Sequence, residues 1–312
     1  MRKFLIRVLV FAVLTIAIDL AFGAIFPFLR EKAKGGRTHE EYYIAEECEA
    51  EALVFGSSRA LHHYVPSVFQ ESLHLSCFNC GKDGMGSLLA YARFRMLTGR
   101  YTPKLVIYDV APLFDYAADE DNTKYLGSLN PDLGKEGVRE AVQTFTDPET
   151  RILMNSQMYR YNSHFISYLI DCLVNRHYSD GGYQAIFGRI KTDGLTDDTL
   201  MVEKTLEIDT KKMKLIEAMI LECQSRGITF VFVMSPVYKG RYPKENLQPL
   251  IDMALKHEVP FLDFSAADGI ADNADYFQDS THLNDTGAHI YSKVVAEALI
   301  EYGIVPGGTY EN

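Results

Sequence analysis

The sequence predicts an α/β fold: a three-layer sandwich whose central parallel sheet of about five strands is covered by helices on both faces, with a membrane-spanning helix in front of it. Three observations predict it. Short apolar runs rich in β-formers recur between stretches of helical periodicity, the pattern of strands buried on both faces. A single long apolar run opens the chain. The 312 residues, 47% hydrophobic and 23% charged, suffice for a buried core and exclude wholesale disorder.

The opening run extends from Phe4 to Leu29 and is interrupted among charged residues only by Arg7 and Asp19. At 1.5 Å per residue, about 20 apolar residues cross a bilayer core, so residues 4–29 are long enough to be a transmembrane anchor. Arg7 lies near one end, where its head reaches the headgroups. Asp19 is expected either to be protonated or to pair with another membrane helix. A cleaved secretory signal is the other reading, with Ala21-Phe22-Gly23 as small-residue cleavage site behind Met1-Arg2-Lys3. Length favours the uncleaved anchor, residues 1–30. Basic residues lie on both flanks (Arg2, Lys3 and Arg7; Arg30, Lys32, Lys34 and Arg37), so charge bias leaves the orientation undecided.

Residues 31–51, with Gly35-Gly36 and many charges, read as a juxtamembrane linker to a domain over 52–312. Ala52–Phe55 and Leu73–Phe78 are expected strands. Leu88, Leu89, Ala92 and Met96 form a helical face, and Leu105–Val110 is the third strand. Residues of about 115–205 break the alternation and read as a helical insertion rich in tyrosine: Tyr125, Tyr159, Tyr161, Tyr168, Tyr178 and Tyr183. Those rings are core side chains or stacking partners for sugar rings. Met213, Ile216, Ile220 and Cys223 share a stripe that Gly227 ends. Ile228–Met234 and Val259–Phe264 are the fourth and fifth strands. Between them Leu247, Ile251 and Leu255 mark a helix, with Pro249 confined to its first turn. The last helix starts at Asn284 or Asp285 and ends before Gly303.

Composition narrows the function. With 31 Lys+Arg against 42 Asp+Glu, the net charge of −11 argues against a nucleic-acid partner. Five cysteines are too few for a disulfide scaffold. Cys77 and Cys80 have redox-motif spacing but lie at a strand end, so they read as buried thiols. His62-His63 has no Cys or carboxylate cluster at ligand spacing and reads as a pair of helix-surface or loop residues, the alternative being that one lines the mouth of an active site.

Chemistry is expected where strands end. Phe55-Gly56-Ser57-Ser58-Arg59 follows the first strand and leads into a helix, the place where open α/β sheets bind ligands. Gly56 permits the sharp turn. A serine there is either a helix cap or, given a base and a group that orients the base, a nucleophile. Asp279-Ser280-Thr281-His282-Leu283-Asn284 precedes the last helix. An Asp three residues before a His can turn its carboxylate back onto Nδ1, leaving Nε2 to take a proton. Asn79-Cys80-Gly81-Lys82-Asp83-Gly84 follows the second strand, where the amides of Gly84 and Ser58 could receive an oxyanion.

Gly-x-Ser after strand one, Asn-x-Gly-x-x-Gly after strand two and Asp-x-x-His before the last helix together resemble the SGNH (GDSL-type) hydrolase superfamily. The resemblance covers about 52–114 and 227–302, most strongly at 55–59 and 277–287. The anchor and Gly-Ser-Ser in place of Gly-Asp-Ser make the chain similar to the DltD-like and polysaccharide-acetylation branches. It implies a flavodoxin-like sandwich, Ser58 as nucleophile, His282 as general base, Asp279 as its orienting partner, and Ser58 and Gly84 as oxyanion donors. One block departs: where the family carries Asn after strand three, this chain reads Tyr108-Asp109-Val110-Ala111-Pro112-Leu113. An ionised Asp109 would oppose an oxyanion; otherwise it is a structural anchor. Gly56-Ser57-Ser58-Arg59-Ala60 also approaches the nucleophile elbow of α/β-hydrolases, but there strands precede the serine.

The expected function is serine-dependent hydrolysis or transfer of an acyl ester on envelope carbohydrate or glycolipid, with no metal or organic cofactor, on the extracytoplasmic side of a single-pass anchor. Two other readings stand beside it: a catalytically inactive envelope protein that binds glycan or a membrane partner, and a transferase recruited through Asp19 to a multi-span membrane acyltransferase.

Overall fold

The computed structural model describes residues 1–118, 127–174, 180–192, 205–240 and 242–305. Tyr125 and Tyr178 lie outside the described residues. The chain opens on α1 (Arg2–Glu31) and α2 (Gly36–Tyr42). Then come β1 (Ala52–Phe55), α3 (Ser58–His63), α4 (Pro66–Leu73), β2 (Cys77–Asn79), α5 (Ser87–Thr98), β3 (Leu105–Asp109) and α6 (Pro112–Asp115). The insertion holds α7 (Val138–Thr144), α8 (Pro148–Leu153), α9 (Gln157–Tyr161) and α10 (Phe165–Leu173). The sequence closes with α11 (Thr210–Arg226), β4 (Thr229–Met234), α12 (Gln248–Lys256), β5 (Phe261–Asp263) and α13 (Asp285–Glu301).

Two compact units result. One comprises Met1–Glu47 with Asn122–Tyr178, the other Cys48–Asp121 with Ser179–Asn312. The insertion helices α7–α10 group with α1 and α2. Residues 31–51 differ from a plain linker. They contain α2 and a π-helical turn over Tyr43–Glu47, with Thr38, Glu40, Ile44 and Ala45 buried.

The second unit is the expected sandwich. Its five strands are all parallel, in the order β2-β1-β3-β4-β5. β1 is flanked by β2 and β3, so the crossovers diverge there, and such a switch point opens a crevice at the carboxyl ends of the strands. Side chains alternate between two covered faces. Val54, Ile107, Val231 and Val233 join Tyr64, Phe69, Tyr291 and Val295 in one apolar cluster. On the opposite face Phe55 meets Phe94 of α5, ring centroids 6.2 Å apart. Largely apolar strands are therefore required, and β1 and β3 are buried at every position, Asp109 at the end of β3 included.

Several boundaries moved for identifiable reasons. Leu73 belongs to α4, where it follows buried Phe69 at helical spacing, and His74 stops that helix at φ 54°; the second strand is only Cys77–Asn79. β5 is likewise shorter than Val259–Phe264. In α12 the expected Leu247-Ile251-Leu255 stripe is corrected: Leu250, Met253 and Ala254 face inward while Leu255 is 72% exposed. Eight residues at 3.6 per turn drift by about 80°, enough to carry the last leucine off the core face. Pro249 does lie in the first turn, and Gly227 ends α11 at φ 69°. Asn284 caps α13, accepting from the Gly287 amide at 3.0 Å.

Candidate active site

The turn after β1 is tight. Gly56 has φ 143°, and a Cβ there would lie 2.6 Å from the Asp109 carbonyl, so only glycine lets β1 pass this close to the end of β3. Ser57 occupies the N-cap position of α3 without a side-chain capping bond and is buried. Ser58 follows, half-exposed, with its amide in the helix's first turn, where amides lack helical partners.

The loop before α13 is knitted to itself and to α3. Phe277 and Leu283, both fully buried, pair as an isolated antiparallel bridge. Between them the Asp279 carboxylate accepts from the amides of Thr281 and His282 at 2.8 and 2.9 Å and from the Thr281 hydroxyl at 3.0 Å. Its other oxygen accepts from His282 Nδ1 at 2.9 Å. His282 Nε2 stands 2.8 Å from Ser58 Oγ. The structure thus brings Ser58, His282 and Asp279 into one hydrogen-bonded line, half-exposed at the crevice. Burial alone would raise the Asp279 carboxyl; the hydrogen bond and charge of His282, aided by the two amides, outweigh it and hold the group at about 2. A carboxylate so held fixes the tautomer with Nε2 open towards the serine.

α13 carries this loop back from the sheet edge by packing on α3 and α4. Ser292 Oγ donates to the His63 carbonyl at 3.0 Å and accepts from the Val65 amide at 2.8 Å.

Gly84 sits at φ 64° in the loop after β2. That loop is tied to the serine turn: the Lys82 amide donates to the Gly56 carbonyl at 3.3 Å, and a Cβ on Gly81 would lie 2.5 Å from the Leu61 amide. Asn79, the first residue of that block, is a buried tie, with Nδ2 donating to the carbonyls of Ala60 and Tyr64 at 2.6 and 2.9 Å. Asp109 is a buried anchor. It accepts from the Tyr64 hydroxyl at 2.7 Å and pairs with Arg59 at 3.8 Å. Burial raises its pKa against the pull of Arg59 and Tyr64. Cys77 and Cys80 are buried thiols outside any disulfide, and burial pushes the Cys77 thiol up.

The two histidines after Ser58 are a correction. Neither is on the surface: both are buried, with rings edge-on to His282 at centroid distances of 5.9 and 6.3 Å. His62 places Nε2 3.0 Å from Asp83 and Nδ1 2.7 Å from the Gln184 carbonyl. Burial opposes charge on this ring, but those two acceptors and the charges of Asp83 and Asp279 hold its pKa above the ordinary value. His63 Nε2 accepts from the Leu283 amide at 2.9 Å, clamping the residue after His282. The segment Asp180–Ile190 was also missed. It meets Asn79 through Gly181, His62 through Gln184, Asp285 through Ile186 and Phe277 through Ile190. Its only sequence signal was the Gly181-Gly182 pair, since these bonds all join distant stretches of chain. Tyr183 is buried there, and Tyr161 and Tyr168 are buried in the other unit, so these three rings are core side chains.

His63 gives a pH prediction. Burial, then the charges of His282, Arg59 and His62, hold it well below its usual 6.5. Below that pH the unfolded chain binds the extra proton and the fold does not. Stability is therefore lost as pH falls from about 6.5, by up to about 1.4 kcal/mol per unit. His63→Gln, whose amide oxygen can still accept from Leu283, is expected to flatten that slope in denaturant unfolding compared at neutral and mildly acidic pH. An unchanged slope would contradict it.

No protein-family model matches the chain, and no curated protein matches it. Among solved structures it is similar to a Desulfitobacterium hafniense protein described as a lipolytic protein of the G-D-S-L family, 13% identical over 80% of this chain and 99% of that one, TM-score 0.41. A Bacteroides fragilis protein described as an acylhydrolase is 13% identical over 85% and 94%, TM-score 0.39. A family two carbohydrate esterase from Clostridium thermocellum, solved with cellohexaose, is 9% identical over 81% and 65%, TM-score 0.36. At such identities and scores these likenesses assign neither residue roles nor a substrate to this chain.

Proposed function

We propose that the chain is an SGNH-type serine esterase or O-acyltransferase acting on cell-envelope carbohydrate or glycolipid, held by α1 as a single-pass anchor with the α/β unit outside the cytoplasm. The observation that carries this reading is the Ser58–His282–Asp279 line, with 2.8 Å between Oγ and Nε2 and 2.9 Å between Nδ1 and the carboxylate. A nucleophile, its base and the group orienting the base within about 2.6–3.2 Å satisfy the geometric standard for covalent catalysis.

In the proposed reaction Ser58 Oγ attacks the ester carbonyl carbon as its proton passes to His282 Nε2. Asp279 stabilises the imidazolium without taking the proton. The carbonyl oxygen gains the negative charge and is received by the amides of Ser58 and Gly84. Collapse breaks the ester C–O bond, and His282 returns its proton to the departing alcohol. Water or a sugar hydroxyl, giving its proton to His282, then attacks the acyl-serine; collapse breaks the acyl carbon–Oγ bond, and His282 returns that proton to Oγ, restoring Ser58 and releasing the acid or the new ester. The third-block side chain supplies no donor here, since Asp109 is committed to Tyr64 and Arg59. That departure favours the second reading, a glycan- or partner-binding protein without turnover.

A fluorophosphonate probe on the detergent-solubilised full chain separates the two. Labelling that disappears in both Ser58→Ala and His282→Ala supports the enzyme. A folded chain that stays unlabelled, with glycan binding intact in Ser58→Ala, overturns it.

A further inference from the structure

The unit formed by Met1–Glu47 and Asn122–Tyr178 contains a helix with inverted polarity. On α10 most polar groups point inward, Ser167 being the exposed exception: Tyr168 is buried, the Asp171 carboxylate accepts from the Thr38 hydroxyl at 2.6 Å, and Cys172 Sγ donates to the Leu29 carbonyl at 2.9 Å. The outward face is apolar. Phe165, Ile166, Leu169, Ile170 and Leu173 are 46%, 67%, 39%, 36% and 80% exposed, at spacings of one, three and four that share one side of a helix. Against water this arrangement is unfavourable, and contiguous exposed apolar surface of this kind marks a contact.

The neighbouring surface of the same unit identifies that contact. α1 is exposed all round as far as Ile18; from Asp19 one stripe is covered, with Phe26 buried against Tyr161 and Tyr168. Its uncovered side stays apolar through Leu20, Ile25 and Phe28, 66%, 52% and 57% exposed. The half-exposed Phe165 ring lies 5.7 Å from buried Phe26, so α10 runs beside the covered stripe of α1 while its own apolar face stays uncovered there. About 20 residues span the hydrocarbon, so a crossing that starts at Phe4 ends near Gly23. α10 then lies beside the next turns, at the depth where amphipathic helices insert about 5–10 Å into the headgroup and acyl boundary. Asp19 is served within this unit, accepting from Ser156 Oγ at 2.6 Å and the Met158 amide at 2.9 Å. The insertion therefore reaches past the end of the crossing and supplies partners to Asp19, the one acidic side chain between Phe4 and Leu29.

We propose that α10 is an interfacial membrane helix, with its Phe165–Leu173 apolar face set among lipid acyl chains beside the C-terminal third of α1. This rests on the reading of α1 as a membrane anchor. It makes the insertion a lipid-contacting platform and not a cover that belongs to the α/β unit alone.

The chain has no tryptophan, so a single substitution supplies a unique fluorophore. The full chain carrying Phe165→Trp, Leu173→Trp, Val10→Trp in α1 or Leu255→Trp on exposed α12 is reconstituted into phosphatidylcholine vesicles with brominated acyl chains. Strong bromolipid quenching of the Phe165→Trp, Leu173→Trp and Val10→Trp chains, with iodide quenching only Leu255→Trp, is the expected result. Lipid quenching at position 10 with iodide quenching at 165 and 173 overturns the proposal and leaves the anchor standing. Shielding of 165 and 173 from both quenchers means that protein covers the face, which also overturns it. No lipid quenching at position 10 removes the anchor itself, and the α10 contact falls with it. Agreement between two α10 positions, one a conservative aromatic exchange, guards against a local packing artefact.

Discussion

Ser58→Ala is expected to lower kcat/KM for an activated acyl ester by about 10⁶-fold, with His282→Ala close to it. Oγ is the bond-forming atom, and without the Nε2 acceptor at 2.8 Å the hydroxyl stays protonated. Residual turnover would come from binding and backbone amides alone. Asp279→Asn is expected to cost less, about 10⁴-fold, because the amide still occupies the loop's turn while favouring the wrong tautomer. The 46% exposure of the Asp279 side chain reduces the effect further, since water can replace part of its hydrogen bond to His282. Combining Ser58→Ala with His282→Ala should add little, because the residues act as a unit. The Asp279 carboxyl, held at about 2, stays ionised above that pH, so an acid limb in the rate profile is not its titration. Steady-state kinetics with thermal unfolding as a fold check decide the matter. A Ser58→Ala chain within tenfold of the unsubstituted one would end the catalytic reading.

The largest stability effect is expected at Arg59, the residue after the candidate nucleophile. The residue is 6% exposed, and its guanidinium donates to the Val110 carbonyl, pairs with Asp109 at 3.8 Å and lies over the Tyr242 ring at 5.7 Å. Arg59→Met removes the cation and leaves a fully buried carboxylate with only neutral donors, the Tyr64 hydroxyl and Ser235, around it. Breaking a buried pair this way typically costs about 3–5 kcal/mol. Asp109→Asn should cost less, because the amide keeps an acceptor for Tyr64 and leaves the long guanidinium its carbonyl and ring. The double substitution should cost less than the sum of the two singles, the sign of a coupled pair. Denaturant unfolding of the four chains tests this; additive losses would mean that Arg59 and Asp109 act independently, despite their proximity.

The placement of Arg59 and Asp109 explains why the third block could be read two ways. Spacing alone puts an acid after β3, where an oxyanion donor would stand. Whether that acid faces the crevice or the core depends on Tyr64 and Arg59, which come from α3 and the link behind it. His63 makes the same point across a separation of 220 residues: nothing near it in the chain says that its ring will accept the amide of Leu283. The insertion was legible as helical, but not its grouping with Met1–Glu47 in one compact unit. On α10 the apolar side chains Phe165, Ile166, Leu169, Ile170 and Leu173 are turned outward, so a reading that assigns apolar faces to a core had no partner for them.

What the sequence determined by itself is the part governed by neighbouring residues. Apolar runs of four to six residues set β1, β3 and β4, a cap at Asn284 set the start of α13, and Gly56 set the turn that presents Ser58. These depend on backbone geometry and local burial. Only the tertiary structure decided how polar side chains are used: that His282 reaches Ser58, that His62 and His63 are enclosed beside it, and that Asp19 bonds within its own unit. A buried polar group needs a partner, and most partners here come from distant chain. Their identity follows from the order in which strands and helices pack, which no local window contains.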